Sequence, residues 1–295
     1  MPVWAALRAP ARVPRYAVRF LTPRMRIALL GAGTIARLVL EKLRSGELPG
    51  TEIVGISGRT SSSRGMGLAG EFGVRFTTSL DSLLALKPAA VLEAASHEAV
   101  RSHLVPTLSA GVSVIVLSAG ALADDALRSD AEAAAERTGA TLYVPSGGIG
   151  GLDALKAACA AGVDQVSIRV AKPPAAWKKI PYVEALGINL EKLSTALTLF
   201  EGPARDGVPH FPQNVNIAAV LSLAGIGFDR TRLEVVADPE LIHNTHTICV
   251  TGKTGRFTVL LENVPSPDNP KTAWLACYSA LAALKQFRTS ARYGT

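Results

Sequence analysis

A chain of 295 residues, 48% hydrophobic and 19% charged, is long enough for one large or two smaller globular domains and too apolar to be disordered. Its formal charge of +7 sits largely at one end. Arg8, Arg12, Arg15, Arg19 and Arg24 fall in the first 24 residues with no acid among them, leaving 26 basic against 24 acidic residues beyond. That balance, with no basic stripe interleaved with aromatics, argues against a nucleic-acid partner. No apolar run is long enough to span a bilayer. Cys159, Cys249 and Cys277 are far apart and show neither metal-ligand spacing nor an even disulfide framework, which points to a reducing, cytoplasmic setting and to no metal.

In chain order, residues 1–24 are Arg-rich and acid-poor like a transit peptide but lack a continuous apolar core. The simpler expectation is an added or poorly ordered arm, with the fold beginning near Met25. Ile27 to Leu30 then reads as a buried parallel strand running into Gly31-Ala-Gly33-Thr34-Ile35-Ala36 and a helical pattern at Ile35, Leu38, Val39 and Leu40. In a dinucleotide fold the first glycine permits the tight turn and the second lets backbone approach a pyrophosphate. The third position needs only a small residue for close helix–strand packing. Gly31, Gly33, Thr34 and Ile35 are therefore the first candidate cofactor contacts.

A second strand, Thr51–Ser57, is followed by a Gly/Ser/Arg loop, a short strand at Val74–Thr77 and a helix at Leu80–Leu86. Ala90–Ala94 is the next strand, with a helix from His97 to Ala110, a strand at Ser113–Leu117, a helix at Asp124–Thr138 and a last strand at Thr141–Val144. This alternation predicts an α/β fold: a doubly wound, mostly parallel sheet forming a dinucleotide-binding domain over 25–145. The second strand ends Ser57-Gly-Arg59-Thr-Ser-Ser-Ser-Arg64 without the carboxylate that usually holds the ribose hydroxyls in an NAD site. Arg59 can pair with a phosphate, so NADP is expected to be accepted at least as well as NAD.

The alternation changes after Pro145-Ser-Gly-Gly-Ile-Gly-Gly-Leu-Asp153. A helix through Ala161, β-rich runs at Gln165–Ala171, Arg232–Ala237, Thr245–Thr251 and Arg256–Val264, and helices near 188–200 and 212–224 predict an α+β substrate and dimerisation domain over 146–265. Val264–Pro270 reads as a punctuated linker. A helix over Thr272–Phe287 closes the segment 266–295 and is expected to return to the first domain.

These motifs together give the family resemblance. The chain resembles the L-aspartate dehydrogenases over roughly residues 25–287, through the glycine turn, Glu93-Ala-Ala-Ser-His97, Pro145–Asp153, Phe211-Pro-Gln-Asn-Val-Asn-Ile-Ala-Ala219, Asp238-Pro…Asn244-Thr-His246, and Glu262–Thr272. The Phe-Pro…Asn-Val-Asn and Asn-x-His pair is the specific part. The resemblance implies oxidative deamination of L-aspartate to iminoaspartate, or its reverse, in NAD biosynthesis. It places the catalytic histidine at His246 and cofactor contacts at Asn216 and at the turn around Gly148 and Gly150, with Ser96 in the same cofactor set. The family often has alanine in that turn and an acidic residue near Gly58; this chain has neither.

An imidazole can titrate near working pH, so His246 is the candidate general base. Asn244, two residues away on a strand, faces the same side and could orient the ring. A dicarboxylate needs a cation: Lys172 is the first candidate, with Lys178, Lys179 and Lys271 behind it, and Ser146 could donate to a carboxylate or cap the following helix. His97 and His103 read as surface or hinge residues. Two other readings remain: a related two-domain dehydrogenase or reductase acting on another amino acid or semialdehyde, and a nonenzymatic dinucleotide sensor. A homodimer through the second domain's sheet is the expected assembly.

Overall fold

The computed structural model describes residues 24–60, 63–212, 215–266, 269–291 and 293. Of the 1–24 arm only Arg24 lies within them, and Gln213 and Asn214 of the Phe-Pro motif lie outside.

The first half follows the predicted alternation: β1 (Met25–Leu30), α1 (Thr34–Arg44), β2 (Thr51–Ser57), α2 (Ser63–Phe72), β3 (Phe76–Thr77), α3 (Leu80–Leu84), β4 (Ala90–Glu93), α4 (His97–Ser109), β5 (Ser113–Val116), α5 (Asp125–Thr138) and β6 (Leu142–Tyr143). The six strands form one parallel sheet in the order β3-β2-β1-β4-β5-β6. Ile27 and Leu29 pack with α1 on one face, while Ala28 and Leu30 pack with Leu83 and Ala99 on the other. A strand covered on both faces carries a continuous apolar run in place of alternation, which is why β1 is legible in the sequence.

One helix here was not expected. α2 occupies what reads as a Gly/Ser/Arg loop, because Gly65, Gly67 and Gly70 are each poor helix formers. Packing overrides that penalty. Leu68 and Ala69 are buried in the sheet's core, and a Cβ on Gly65 would come within 2.6 Å of the Phe76 ring, so the glycine lets the helix lie on β3.

The second half comprises α6 (Leu152–Ala161), β7 (Val163–Lys172), α7 (Pro181–Ala185), β8 (Leu197–Pro203), α8 (Ala204–Gly207), α9 (Asn216–Ala224), β9 (Thr231–Ala237), β10 (Asn244–Gly252) and β11 (Gly255–Asn263). Its five strands run β11-β10-β7-β9-β8, parallel only between β7 and β9, so the expected α+β domain is built on a mixed sheet. One face carries Val166, Ile168, Val170, Ile248 and Val250 against α6 and α9. The other carries exposed pairs such as Arg169–Glu234 and Arg232–Glu201.

The helix expected near 188–200 is replaced by a three-residue turn at Leu190–Lys192 and by β8. Leu190, Leu193 and Leu197 do reach the core, but as partly buried residues of a loop and an edge strand. Pairing with β9 satisfies β8's backbone, and Pro203 closes the strand where its missing N–H costs nothing. The predicted linker also carries structure, a small ribbon of β12 (Pro265–Ser266) and β13 (Asn269–Ala273). α10 (Trp274–Arg288) then returns to the first sheet. Ala280, Leu281, Ala283 and Leu284 join the core around β1 and α1, and Tyr143 Oη donates to Gln286 Oε1 at 2.8 Å.

Candidate active site

The strand order reverses between β1 and β4, and in an open parallel sheet ligands bind in the crevice that opens there. The loop after β1 holds the glycine turn. Gly31 has φ +113°, and a Cβ on it would meet the Ala94 carbonyl at 2.6 Å, so only glycine fits between the two loops. Gly33 is different. It is the N-terminal cap residue of α1, no side chain caps the helix, and a Cβ there would meet nothing within 4 Å. Open space in front of uncapped N–H groups is what an anionic diphosphate requires. The residues present therefore fit a dinucleotide, with Thr34 and Ile35 opening the helix behind it. Arg59 is exposed just beyond the end of β2.

A buried carboxylate organises the other wall. Glu93 ends β4 at 1% exposure and accepts from the Ala95 and Ser96 N–H groups and from Ser118 Oγ through Oε1, and from the Leu117 and Ser118 N–H groups through Oε2, at 2.8 to 3.2 Å. It thereby ties the loop after β4 to the loop after β5. Burial pushes its carboxyl up, against the pull of those donors. Ser96 caps α4 by accepting from the Ala99 N–H at 3.2 Å.

The second half docks onto this wall through the first residue of α9. Asn216 Oδ1 accepts from the Gly120 N–H at 3.0 Å and from His97 Nε2 at 2.7 Å. His97, read as a surface or hinge residue, is partly buried between the two halves, and burial holds its imidazole below the ordinary value. His103 remains on α4, and His210 stacks on Tyr182 with ring centroids 4.3 Å apart. The neighbouring Ile217 reaches the Pro145–Asp153 turn, where a Cβ on Gly148 would lie 3.8 Å from Ile217 Cγ2 and 3.8 Å from His246 Cε1. Gly148 therefore links the crevice to the second sheet.

There a polar row lies on the sheet's covered face. The burial of β10 alternates from Asn244 to Thr251, with Asn244 at 1% and His246 at 2% exposure on the inner side. The antiparallel hairpin places Asn244 opposite Asn263, and Leu261, the partner of His246, lies two residues before it. Asn263 Nδ2 donates to the Gly148 carbonyl at 2.9 Å and lies 3.0 Å from His246 Nδ1, which is itself 3.3 Å from that carbonyl. His246 Nε2 and Asn244 Nδ2 are buried with no hydrogen-bond partner among the described residues. Burial first, then the Lys172 charge, push His246 down to about 3, against the Gly148 carbonyl.

Lys172 ends β7 one step beyond the Ala171–Thr245 pair and is 3% exposed, its Nζ 5.3 Å from the centroid of the Trp177 ring. Burial alone brings its ammonium down to about 7. Lys178 is instead tied to Glu191 at 2.7 Å on the surface, and Lys179 is exposed. The Lys271 side chain lies outside the described residues.

A chain of contacts thus joins the two halves: Gly31 abuts Ala94 in the loop that Ser96 closes, His97 and Gly120 bond Asn216, and the next residue, Ile217, meets Gly148 beside His246, which shares the second sheet's covered face with Asn244 and Lys172. Gly150 faces open space, and Ser146 does not cap α6, whose N-terminal cap residue is Gly151. The ring of His246 is held by Asn263 and not by Asn244. Neither Asn263 nor Glu93 was singled out from the sequence. For Asn263 the signal lies in the hairpin: counting back from the Gly252–Gly255 turn sets it opposite Asn244. Among the described residues no cluster of His, Cys, Asp and Glu could hold a metal, and no helix is long and apolar enough to cross a membrane.

Family models divide the chain along the same line as the two sheets. Residues 31–145 match the NAD-binding domain of homoserine dehydrogenase, which sets the chain among the two-domain dehydrogenases that use a nicotinamide cofactor. Residues 153–287 match the C-terminal domain of aspartate dehydrogenase. An L-aspartate dehydrogenase of Methanosarcina mazei is 41% identical over 92% of this chain and 100% of its own length, and one of Methanosarcina acetivorans is 48% identical over 70% and 76%. The crystal structure of aspartate dehydrogenase from Thermotoga maritima superposes with a TM-score of 0.71 at 27% identity, covering 92% of this chain and 99% of that one. The chain belongs to the L-aspartate dehydrogenase family.

Proposed function

We propose that this chain oxidises L-aspartate to iminoaspartate with NAD or NADP, or runs the reverse amination. The observation that carries the reading is the buried row of Lys172, Asn244 and His246 on one face of the second sheet, with Gly148 of the interdomain turn against the His246 ring. A bound nicotinamide would accept the α-hydride, which is the cofactor's own chemistry. The chain's part is to hold and orient. Gly31 to Ile35 and α1's free N–H groups take the diphosphate. Ser96, Asn216 and the Gly148–Gly150 turn border the nicotinamide. Lys172 is the buried cation for a substrate carboxylate, with Ser146 as a second donor and His246 beside the reacting carbon. Oxidation of such an amino acid suits NAD biosynthesis in the cytoplasm, and the exposed nine-residue edge strand β11, with Leu260 61% exposed, suits a homodimer through the second sheet.

Arg59, in place of an acid beyond β2, favours NADP being used at least as well as NAD. The test is cofactor-dependent absorbance with L-aspartate, other amino acids, and oxaloacetate plus ammonia. Turnover with aspartate is expected, and Arg59→Ala should cut kcat/KM with NADP by about tenfold or more while leaving NAD within about twofold. Turnover only with another substrate, or cofactor binding with none, rejects the reading; an unaltered preference for NAD in Arg59→Ala rejects the NADP assignment.

A further inference from the structure

The hydrogen bonds around Asn263 decide which nitrogen of His246 carries the proton. The Gly148 carbonyl can only accept, so the amide atom 2.9 Å from it is the nitrogen of Asn263; the flipped amide would set two oxygens against each other. That same Nδ2 lies 3.0 Å from His246 Nδ1. A primary amide nitrogen has two protons to give and accepts none. Were Nδ1 protonated, two donors would meet head-on, so Nδ1 accepts and the neutral ring holds its proton on Nε2. A bond from Nδ1 to the Gly148 carbonyl would need the proton on Nδ1; at 3.3 Å it is the longer contact and yields to the 3.0 Å bond from Asn263, whose nitrogen already serves that carbonyl. The doubly protonated ring meets the same conflict, in a site that also faces the charge of Lys172. Nε2 is left as a buried N–H with no acceptor among the described residues. A buried donor without a partner is an unstable arrangement that an incoming acceptor relieves.

We infer that Asn263 is a positioning residue that locks His246 in the Nε2–H form, so that His246 meets the substrate as a fixed neutral hydrogen-bond donor to an oxygen, a carboxylate above all. This replaces the general-base role read from the sequence, since the lone pair a base needs at Nε2 is absent. The substrate ammonium gives its proton to solvent water before the hydride step, and His246 neither takes nor gives one. The identity of the oxygen rests on the aspartate reading; the tautomer does not.

Nitrogen-15 spectra of the protein labelled at histidine test the form directly, with His246→Gln identifying the His246 signals among the five histidines. The expected spectrum at neutral pH has an unprotonated Nδ1 and a protonated Nε2, unchanged on acidification to about pH 5. A protonated Nδ1, or titration at an ordinary histidine pH, overturns the inference whether or not aspartate turns over. Kinetics supply the second arm. A glutamine amide can present an N–H close to where Nε2 lies, so His246→Gln should keep kcat/KM within about tenfold of the wild type while His246→Ala loses about a hundredfold, chiefly in KM. Equal losses in both variants overturn the donor role. Asn263→Asp, whose carboxylate calls for a proton on Nδ1, should move the proton to Nδ1 in the spectrum and lower kcat/KM. An unmoved proton would show that Asn263 does not set the tautomer.

Discussion

The two halves of this site are built on opposite principles. The turn after β1 is made of backbone within six residues, open in front and shaped by the absence of side chains. The row on the second sheet is made of side chains from β7, β10 and β11, closed over at 1% to 5% exposure and fixed by strand register. The first offers an anion open space and free helix N–H groups. The second buries polar side chains, of which His246 Nε2 and Asn244 Nδ2 have no partner among the described residues. A generic cofactor needs only the first kind of site, whereas choosing one substrate needs the second. This division explains why one match within the chain is to a homoserine dehydrogenase domain and the other to aspartate dehydrogenase.

The comparison predicts where a single added methyl group is most damaging. Gly31→Ala forces a Cβ into the Ala94 carbonyl at a positive φ, against backbone of the Ala94–Ala95 loop with no flexible side chain to yield. The expected cost is about 2–4 kcal/mol of stability, together with loss of cofactor binding. Urea unfolding and a dinucleotide titration measure both. A variant that unfolds at the wild-type midpoint would mean that the two loops are not in register as described.

The same contrast governs what could be read without coordinates. β1, its turn and α1 are a local pattern, and a run apolar on both faces can only be a central parallel strand. α2 was hidden because three glycines argue locally for a loop, while the contacts that hold it come from Phe76 and the sheet. β8 was hidden for a related reason: its leucines fit a helical spacing, and only pairing with β9, more than thirty residues on, makes it a strand. His246 was singled out by the family resemblance and Asn244 by the strand's period of two, which does set both on the buried face of β10. Asn263 lies 17 residues from His246, and its place depends on a hairpin register that no single strand contains. Glu93 sits inside a quoted motif, yet its donors after β5 lie 24 and 25 residues away, so its tying role appears only in the fold.

The buried row carries a pH signature that the open turn cannot have. Burial brings the folded-state Lys172 ammonium from 10.5 down to about 7. Between those values the unfolded chain binds more protons than the folded one, so this group makes stability rise with pH across that window. Its penalty is full below about pH 7 and gone above 10.5. Lys172→Met should therefore stabilise the fold by a few kcal/mol at pH 6 and progressively less toward pH 10, while raising KM for aspartate. Denaturant midpoints of both proteins at pH 6, 8 and 9.5 give the slope. Parallel curves would show that burial does not perturb this lysine. His246 acts in the same direction at lower pH: lowered to about 3, it withdraws stability as pH falls from about 6.5 toward 3.

The smallest expected change in stability, and the sharpest test of the contrast, is Gly33→Ala. Gly33 has φ −89° and ψ −164°, a conformation alanine adopts freely, and its Cβ would touch nothing within 4 Å. Alanine is a slightly poorer helix cap than glycine, so the fold should lose no more than a few tenths of a kcal/mol. The dinucleotide, however, would approach the space that methyl group fills. A Kd weakened about tenfold, roughly 1.4 kcal/mol, is expected with the unfolding midpoint unmoved. Two glycines separated by one residue would then divide the work, Gly31 joining the loops of the sheet and Gly33 keeping the crevice clear. If Gly33→Ala binds both cofactors as the wild type does, the open space before α1 is not where the diphosphate lies. In that case the row containing His246 would have to be related to the cofactor through Asn216 and the Gly148 turn alone.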